Sequence, residues 1–257
     1  MTGTEAILFD AYGTVLDVGT YHRDITKHVV QQSKTLFDIT TSVEEFNAFW
    51  NEEFECAFRD VIAYCGEFRN MRDLYGISAK NVFQRYGINV PDDYVEELNR
   101  IFKKMLDEAV TILPSVKKTL EILCKNGCRL GMVSNGDIDE LSAHLNGVSH
   151  LFDVIVTSEE LQVYKPHSRV FDDAIRKMDI EREATVFVGD TITSDIFGAK
   201  KAGLTAIWYN KKQRIPKPEI RPDFEIRDMA ELLEIVEFSC NRPDRNRSSY
   251  ALSRSVL

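Results

Sequence analysis

Short apolar runs bounded by turn residues recur along the chain, at residues 6–11 (AILFDA), 129–134 (RLGMVS), 154–157 (VIVT), 185–189 (TVFVG) and 205–209 (TAIWY), with a weaker sixth at 224–226. Their apolar character is nearly continuous rather than alternating, which predicts strands of a parallel sheet covered on both faces. Helical patterns lie between them. Residues 115–125 place Val116, Leu120 and Leu123 at helical spacing, with Pro114 ahead and Asn126-Gly127 behind. Residues 168–178 and 194–202 follow the same logic, the latter ending at Gly203. Alternating β and α units predict an α/β fold of the doubly wound, Rossmann-like kind.

The stretch from about Asp17 to Ala109 breaks this alternation. It carries helical patterns and no convincing strand, so an all-helical insertion after the first strand is expected. Its aromatics, Phe46, Phe49, Trp50, Phe54, Phe58, Tyr64 and Phe68, are expected mainly to form the insertion's own core, with some free to line a cavity. The predicted organisation is a Rossmann-like core of residues 1–16 and 110–238, a helical cap of residues 17–109, and a disordered tail of residues 239–257, rich in Arg and Ser. The tail carries a net charge of +3, against −12 for the rest of the chain.

Composition narrows the function classes. The 257 residues can bury a large core, and 44% hydrophobic with 28% charged residues is ordinary for a globular protein. A net charge of −9 argues against a general nucleic-acid or anionic-membrane surface, though not against one local basic pocket. No apolar run approaches the ~20 residues of a membrane span, and Asp10 cuts short the N-terminal apolar run, so neither a span nor a signal peptide is expected. Five scattered cysteines, Cys56, Cys65, Cys124, Cys128 and Cys240, are expected to be reduced rather than to form disulfides or a zinc site. A cytoplasmic location follows as the expectation.

In open α/β sheets ligands bind at the carboxyl ends of the strands. Those ends carry Asp10, then Ser134-Asn135, then Asp190; Lys165 lies ahead of the helix that follows the third strand, and Asp195 opens the one after the fourth. One aspartate there is usually a helix cap or turn residue. A nucleophile candidate, a hydroxyl, a lysine and two more acids on one edge are harder to dismiss. A carboxylate such as Asp10 can attack phosphorus or carbon to give an ester that water then hydrolyses, Ser134 can hydrogen-bond a transferring group, and Lys165 can hold Asp10 ionised.

These residues resemble the four motifs of the haloacid dehalogenase-like superfamily. FDAYGTVLD resembles the first, with Asp10 as nucleophile and Thr14 nearby; VSNG at residues 133–136 the second; Lys165 in VYKP the third; VGDTITSDIFGAKKAG at residues 188–203 the fourth. The resemblance implies a hydrolase acting through an aspartyl ester, with a helical cap at the insertion point found here.

Two branches of that family compete. Its phosphatases usually carry an acidic general acid–base two residues after the nucleophile, where this chain has Tyr12; DAYGT and LQVYKPHSRV instead resemble the L-2-haloacid dehalogenases. Against that, GDTITSD keeps Asp190 and Asp195 at phosphatase spacing, and the cap arginine that receives halide is missing after Trp50-Asn51, with Arg59 or Arg69 as possible substitutes. Asp10, Asp190 and Asp195 bring three negative charges to one Lys165. At ~4 Å each like-charge pair costs about 4 kcal/mol even at an effective dielectric near 20, which a divalent cation would relieve. Hard oxygen ligands suit Mg²⁺, and the resemblance implies Asp10, Asp190 and the Tyr12 carbonyl as ligands, with Asp195 in the same acidic set. The favoured expectation is therefore Mg²⁺-dependent hydrolysis of a small phosphate ester. The alternatives are a metal-independent 2-haloacid dehalogenase, and a binding protein whose catalysis has decayed.

Overall fold

A computed structural model describes residues 3–62, 67–215 and 219–236. Tyr64, Cys65, Cys240 and the tail expected at residues 239–257 lie outside the described residues. Six parallel strands form one sheet: β1 (Ala6–Phe9), β2 (Arg129–Ser134), β3 (Val154–Thr157), β4 (Thr185–Gly189), β5 (Thr205–Tyr209) and β6 (Phe224–Ile226), in the order β3-β2-β1-β4-β5-β6. The residues of β1 and β4 are all buried, as expected of strands covered on both faces. Ile7 and Phe9 face a core shared with Val116, Leu120 and Leu123, while Ala6 and Leu8 face one shared with Val170, Phe171 and Ala174. β1 ends at Phe9 rather than at Ala11, because after Asp10 N–H donates to Val188 O the chain turns, with Leu16 N–H donating to Ala11 O.

Four helices follow β1: α1 (Tyr21–Phe37), α2 (Val43–Ile62), α3 (Met71–Arg85) and α4 (Asp92–Ala109). They pack around their own core, which includes Val29, Phe46, Trp50, Phe83, Leu98 and Phe102. Where the chain leaves the core for these helices and returns from them, Asp17 and Thr111 form an isolated antiparallel bridge, Asp17 N–H to Thr111 O at 2.8 Å and Thr111 N–H to Asp17 O at 2.9 Å. The aromatic stripe is divided. Phe46 and Trp50 enter this core and Phe49 packs on its edge, while Phe54 and Phe58 belong to none of the three hydrophobic cores.

The remaining helices are α5 (Pro114–Lys125), α6 (Ile138–His144), α7 (Ser158–Leu161), α8 (Ser168–Met178), α9 (Phe197–Lys201) and α10 (Leu232–Ile235). The helix expected over residues 194–202 begins instead as a π-turn, Ile192–Ile196, in which Phe197 N–H donates to Ile192 O, and only then becomes α9. The wider turn brings the Asp195 carboxylate back onto Thr191 N–H, at 2.9 Å. No helix among the described residues is long and apolar enough to cross a membrane.

Candidate active site

β1 lies between β2 and β4, where the connections leave the sheet in opposite directions, and this switch point opens a crevice at the carboxyl edge. Asp10 stands there, 7% exposed. Its Oδ1 accepts from Lys165 Nζ at 2.6 Å and its Oδ2 from the Thr14 hydroxyl at 3.0 Å. Thr14 can reach back because Gly13 adopts φ +95°, and a Cβ at Gly13 would lie 2.9 Å from the Asp190 carboxylate.

Lys165 is 1% exposed, and all three of its protons are engaged: Asp10 Oδ1 at 2.6 Å, Asp195 Oδ1 at 2.8 Å and Val133 O at 2.8 Å. Its backbone is clamped by Asn135, whose Oδ1 accepts from Lys165 N–H at 2.8 Å and whose Nδ2 donates to Lys165 O at 3.3 Å. Burial works against the charged lysine, but Asp10 and Asp195 outweigh it and raise its pKa. Ser134 Oγ accepts from Gly136 N–H at 3.0 Å at the cavity wall.

Asp190 follows β4. Trp208 Nε1 fixes its carbonyl at 2.9 Å, and its carboxylate accepts from Thr191 Oγ1 and from Arg214 Nη2 at 3.0 Å. Among the described residues, Asp10, Asp190 and Asp195 form a group whose ligand oxygens lie within 4.8 Å of one another. Burial, followed by repulsion within the group, raises the pKa of Asp190 against the pull of Arg214. Burial likewise raises that of Asp10, against the pull of Lys165. An all-oxygen set carrying more negative charge than its cations relieve is chemically suited to a hard divalent cation.

Tyr12 does not face Asp10 with its hydroxyl. The hydroxyl meets His144 Nδ1 at 2.9 Å, and His144 Nε2 meets Asp107 Oδ1 on α4 at 2.9 Å. Burial and nearby carboxylates raise the phenol pKa further above its ordinary value. Arg59 and Arg69 are exposed and do not line the cavity. The cavity arginine is Arg72, whose guanidinium is held by Glu140 at 2.9 Å and Asp139 at 3.2 Å.

Sequence reasoning missed four of these groups. Arg214 lies just beyond β5 on the same sheet edge, so the edge rule that found Asp190 could also have found it. Asp137, Arg72 and His144 carried no signal, since their roles depend on how the insertion sits. Asp137 accepts Met71 N–H at 2.9 Å and Arg72 N–H at 3.2 Å, capping α3 from across the crevice.

The family model for haloacid dehalogenase-like hydrolases matches residues 4–203. The chain belongs to that family. A glyceraldehyde 3-phosphate phosphatase of Methanothermobacter thermautotrophicus is 40% identical over 101 residues, covering 38% of this chain and 45% of the relative. A pyrimidine 5'-nucleotidase of Escherichia coli is 30% identical over 143 residues, covering 54% of this chain and 63% of the relative. The chain thus aligns with about half the length of these curated relatives. A solved dehalogenase with an intermediate complex superposes with a TM-score of 0.71 at 20% identity, covering 92% of this chain and 98% of that one, which is a likeness of fold.

Proposed function

We propose that this chain is a Mg²⁺-dependent phosphate-ester hydrolase for a small molecule, working through an aspartyl-phosphate at Asp10. The observation that carries this reading is the buried Asp10 carboxylate held by Lys165 and Thr14 beside Asp190 and Asp195 at the floor of a cavity. Sequence likeness to phosphatases over about half their length supports it. In this reading residues 17–109 act as a cap over a core of residues 1–16 and 110–238, in a cytoplasmic setting.

Asp10 and Asp190, with the Tyr12 carbonyl, are the ligands we assign to Mg²⁺, and Asp195 adds a third acidic charge while anchoring Lys165. When bound, the ion offsets phosphate charge and polarises phosphorus. An Asp10 oxygen attacks phosphorus and the bond to the leaving oxygen breaks. Water then attacks phosphorus, the bond to Asp10 breaks, and phosphate and the free carboxylate result. Lys165 and Thr14 aim the Asp10 carboxylate, and Lys165 favours its ionised form against burial before attack and after hydrolysis. Since the lysine's protons are all engaged within the protein, it acts as a positioning residue. The Ser134 hydroxyl and nearby backbone N–H groups hold the transferring oxygens.

Tyr12 favours a second reading, metal-independent dehalogenation of a 2-haloacid. The commitment of Arg72 to two acids counts against it, because a halide or carboxylate would have to displace one. Paired assays decide. Phosphate release from p-nitrophenyl phosphate with Mg²⁺ and its loss in EDTA are expected. Chloride release from 2-chloropropionate in EDTA, without phosphatase activity, would reverse the assignment.

A further inference from the structure

The cavity above Asp10 has two chemically different ends. One is the polar floor already described. The other is walled by aromatic rings, Phe54 and Phe58, which belong to no core, and Tyr75, which packs against the core of the insertion: Phe54 stacks on Phe58 with centroids 5.7 Å apart and an interplanar angle of 13°, and on Tyr75 at 4.8 Å and 22°. Phe58 in turn meets Tyr164, the residue before Lys165, edge-on at 5.0 Å. The rings thus form a continuous face running from Tyr75 on α3 through Phe54 and Phe58 on α2 to Tyr164. Leaving such surface outside a core forgoes burial worth having, which is expected of a wall that a ligand covers.

The polar groups along this half of the cavity are largely committed. Tyr21 donates to Phe102 O at 3.2 Å, Lys103 holds Asp107 at 2.7 Å, Arg72 holds Glu140 and Tyr12 meets His144. Among the described residues, two polar groups remain here for a ligand: Asn99, whose Oδ1 has no partner, and His22, whose ring meets Tyr21 edge-on. A polyhydroxylated leaving group would lose its water here and gain few bonds in return. The cavity measures about 270 Å³ and shares Tyr21, Phe54, Tyr75 and Phe102 with a neighbouring one of about 250 Å³. An apolar cavity of about 150 Å³ admits a benzene ring, so one ring and a phosphoryl group fit.

We propose that this half of the cavity binds a planar aromatic leaving group against Phe54, Phe58 and Tyr75, which makes the substrate an aryl or arylmethyl phosphate monoester. The proposal rests on the phosphate-ester reading above and adds the leaving group to it. The test compares benzyl phosphate with cyclohexylmethyl phosphate, each measured also in Phe54→Leu so that the lower basicity of the benzyl leaving group cancels, and with glycerol 3-phosphate. Benzyl phosphate is expected to have a kcat/KM about 3–10-fold above the saturated ring and about 10²-fold above glycerol 3-phosphate. Phe54→Leu keeps an apolar side chain and should lower the benzyl to cyclohexylmethyl ratio several-fold; an unchanged ratio overturns the proposal. Parity in the unaltered protein, or a preference for glycerol 3-phosphate, overturns the proposal. Should no ester be hydrolysed in Mg²⁺, the hydrolase reading fails instead, and calorimetric binding of benzylphosphonate against cyclohexylmethylphosphonate decides the pocket. A benzyl preference removed by Phe54→Leu upholds it, and equal binding overturns it.

Discussion

In the phosphate-ester reading Tyr12 stands two residues after the nucleophile, where an acid–base residue is expected, yet its hydroxyl is bonded to His144 and its pKa lies above the ordinary phenol value. It is a poor proton donor at neutral pH. Tyr12→Asp should therefore raise turnover of alkyl phosphates, by up to about 10²-fold within the usual span of general acid–base assistance, while changing that of p-nitrophenyl phosphate much less. Equal gains on both substrates would mean that something other than the proton limits the native enzyme. Lys165 supplies a different test. It is the buried cation between Asp10 and Asp195, so Lys165→Met leaves two carboxylates facing each other without it. Removing one partner of a buried pair costs about 3–5 kcal/mol. Urea denaturation in EDTA should register a loss of that order, and an unchanged midpoint would mean the cluster is neutral before the lysine is removed.

At the level of elements, α3 is capped twice. Asn70 Oδ1 accepts Asp73 N–H at 2.9 Å from within the insertion, and Asp137 accepts Met71 and Arg72 N–H from the core. Asp137→Ala should cost about 1 kcal/mol, the usual loss of a helix cap. Burial is the main reason that the Asp137 pKa rises from 3.8 to about 6, so the folded state keeps this proton to higher pH than the unfolded chain does. Its contribution is fully present below the ordinary carboxylate range and is lost as pH rises through about 6. Thermal melts of Asp137→Asn between pH 4 and 7 should lack that part of the decline, and an unchanged slope would remove Asp137 from the account. None of this docking was legible in the sequence, because Asp137 and Met71 meet only once the insertion has folded and settled on the core. The strands themselves were legible, since burial on both faces leaves unbroken apolar runs such as TVFVG. The acids were legible too, because strand ends at a switch point share an edge. The helix over residues 194–202 was misread at its start, where the chain opens as a π-turn over Ile192–Ile196 that apolar periodicity does not register. The aromatic stripe was half legible: the helical pattern put Phe46, Trp50, Phe54 and Phe58 in an all-helical insertion, but could not say which rings face a core and which a cavity.

Across the whole molecule, the sheet edge gathers more negative charge than Lys165 and Arg214 offset, and this links metal, pH and stability. Burial chiefly, and repulsion within the group, raise the pKa of both Asp10 and Asp190 above the ordinary carboxylate range. The folded, metal-free protein therefore holds these protons more tightly than the unfolded chain, and its stability falls as pH rises through the folded values. A cation that needs deprotonated ligands binds better over the same interval. The two effects have opposite signs, so the difference in melting temperature between Mg²⁺ and EDTA should be small near pH 5 and grow toward pH 8. At a free Mg²⁺ concentration ten times its Kd, the stabilisation is about 1.4 kcal/mol, equivalent to roughly 3–6 °C for a chain of this size. Asp190→Asn removes one ligand charge and should abolish most of the shift while leaving the Asp137 slope in place. A Mg²⁺ shift independent of pH, or one that survives Asp190→Asn unchanged, would place the ion elsewhere on this acidic protein and leave the edge cluster as an ion-pair network around Lys165.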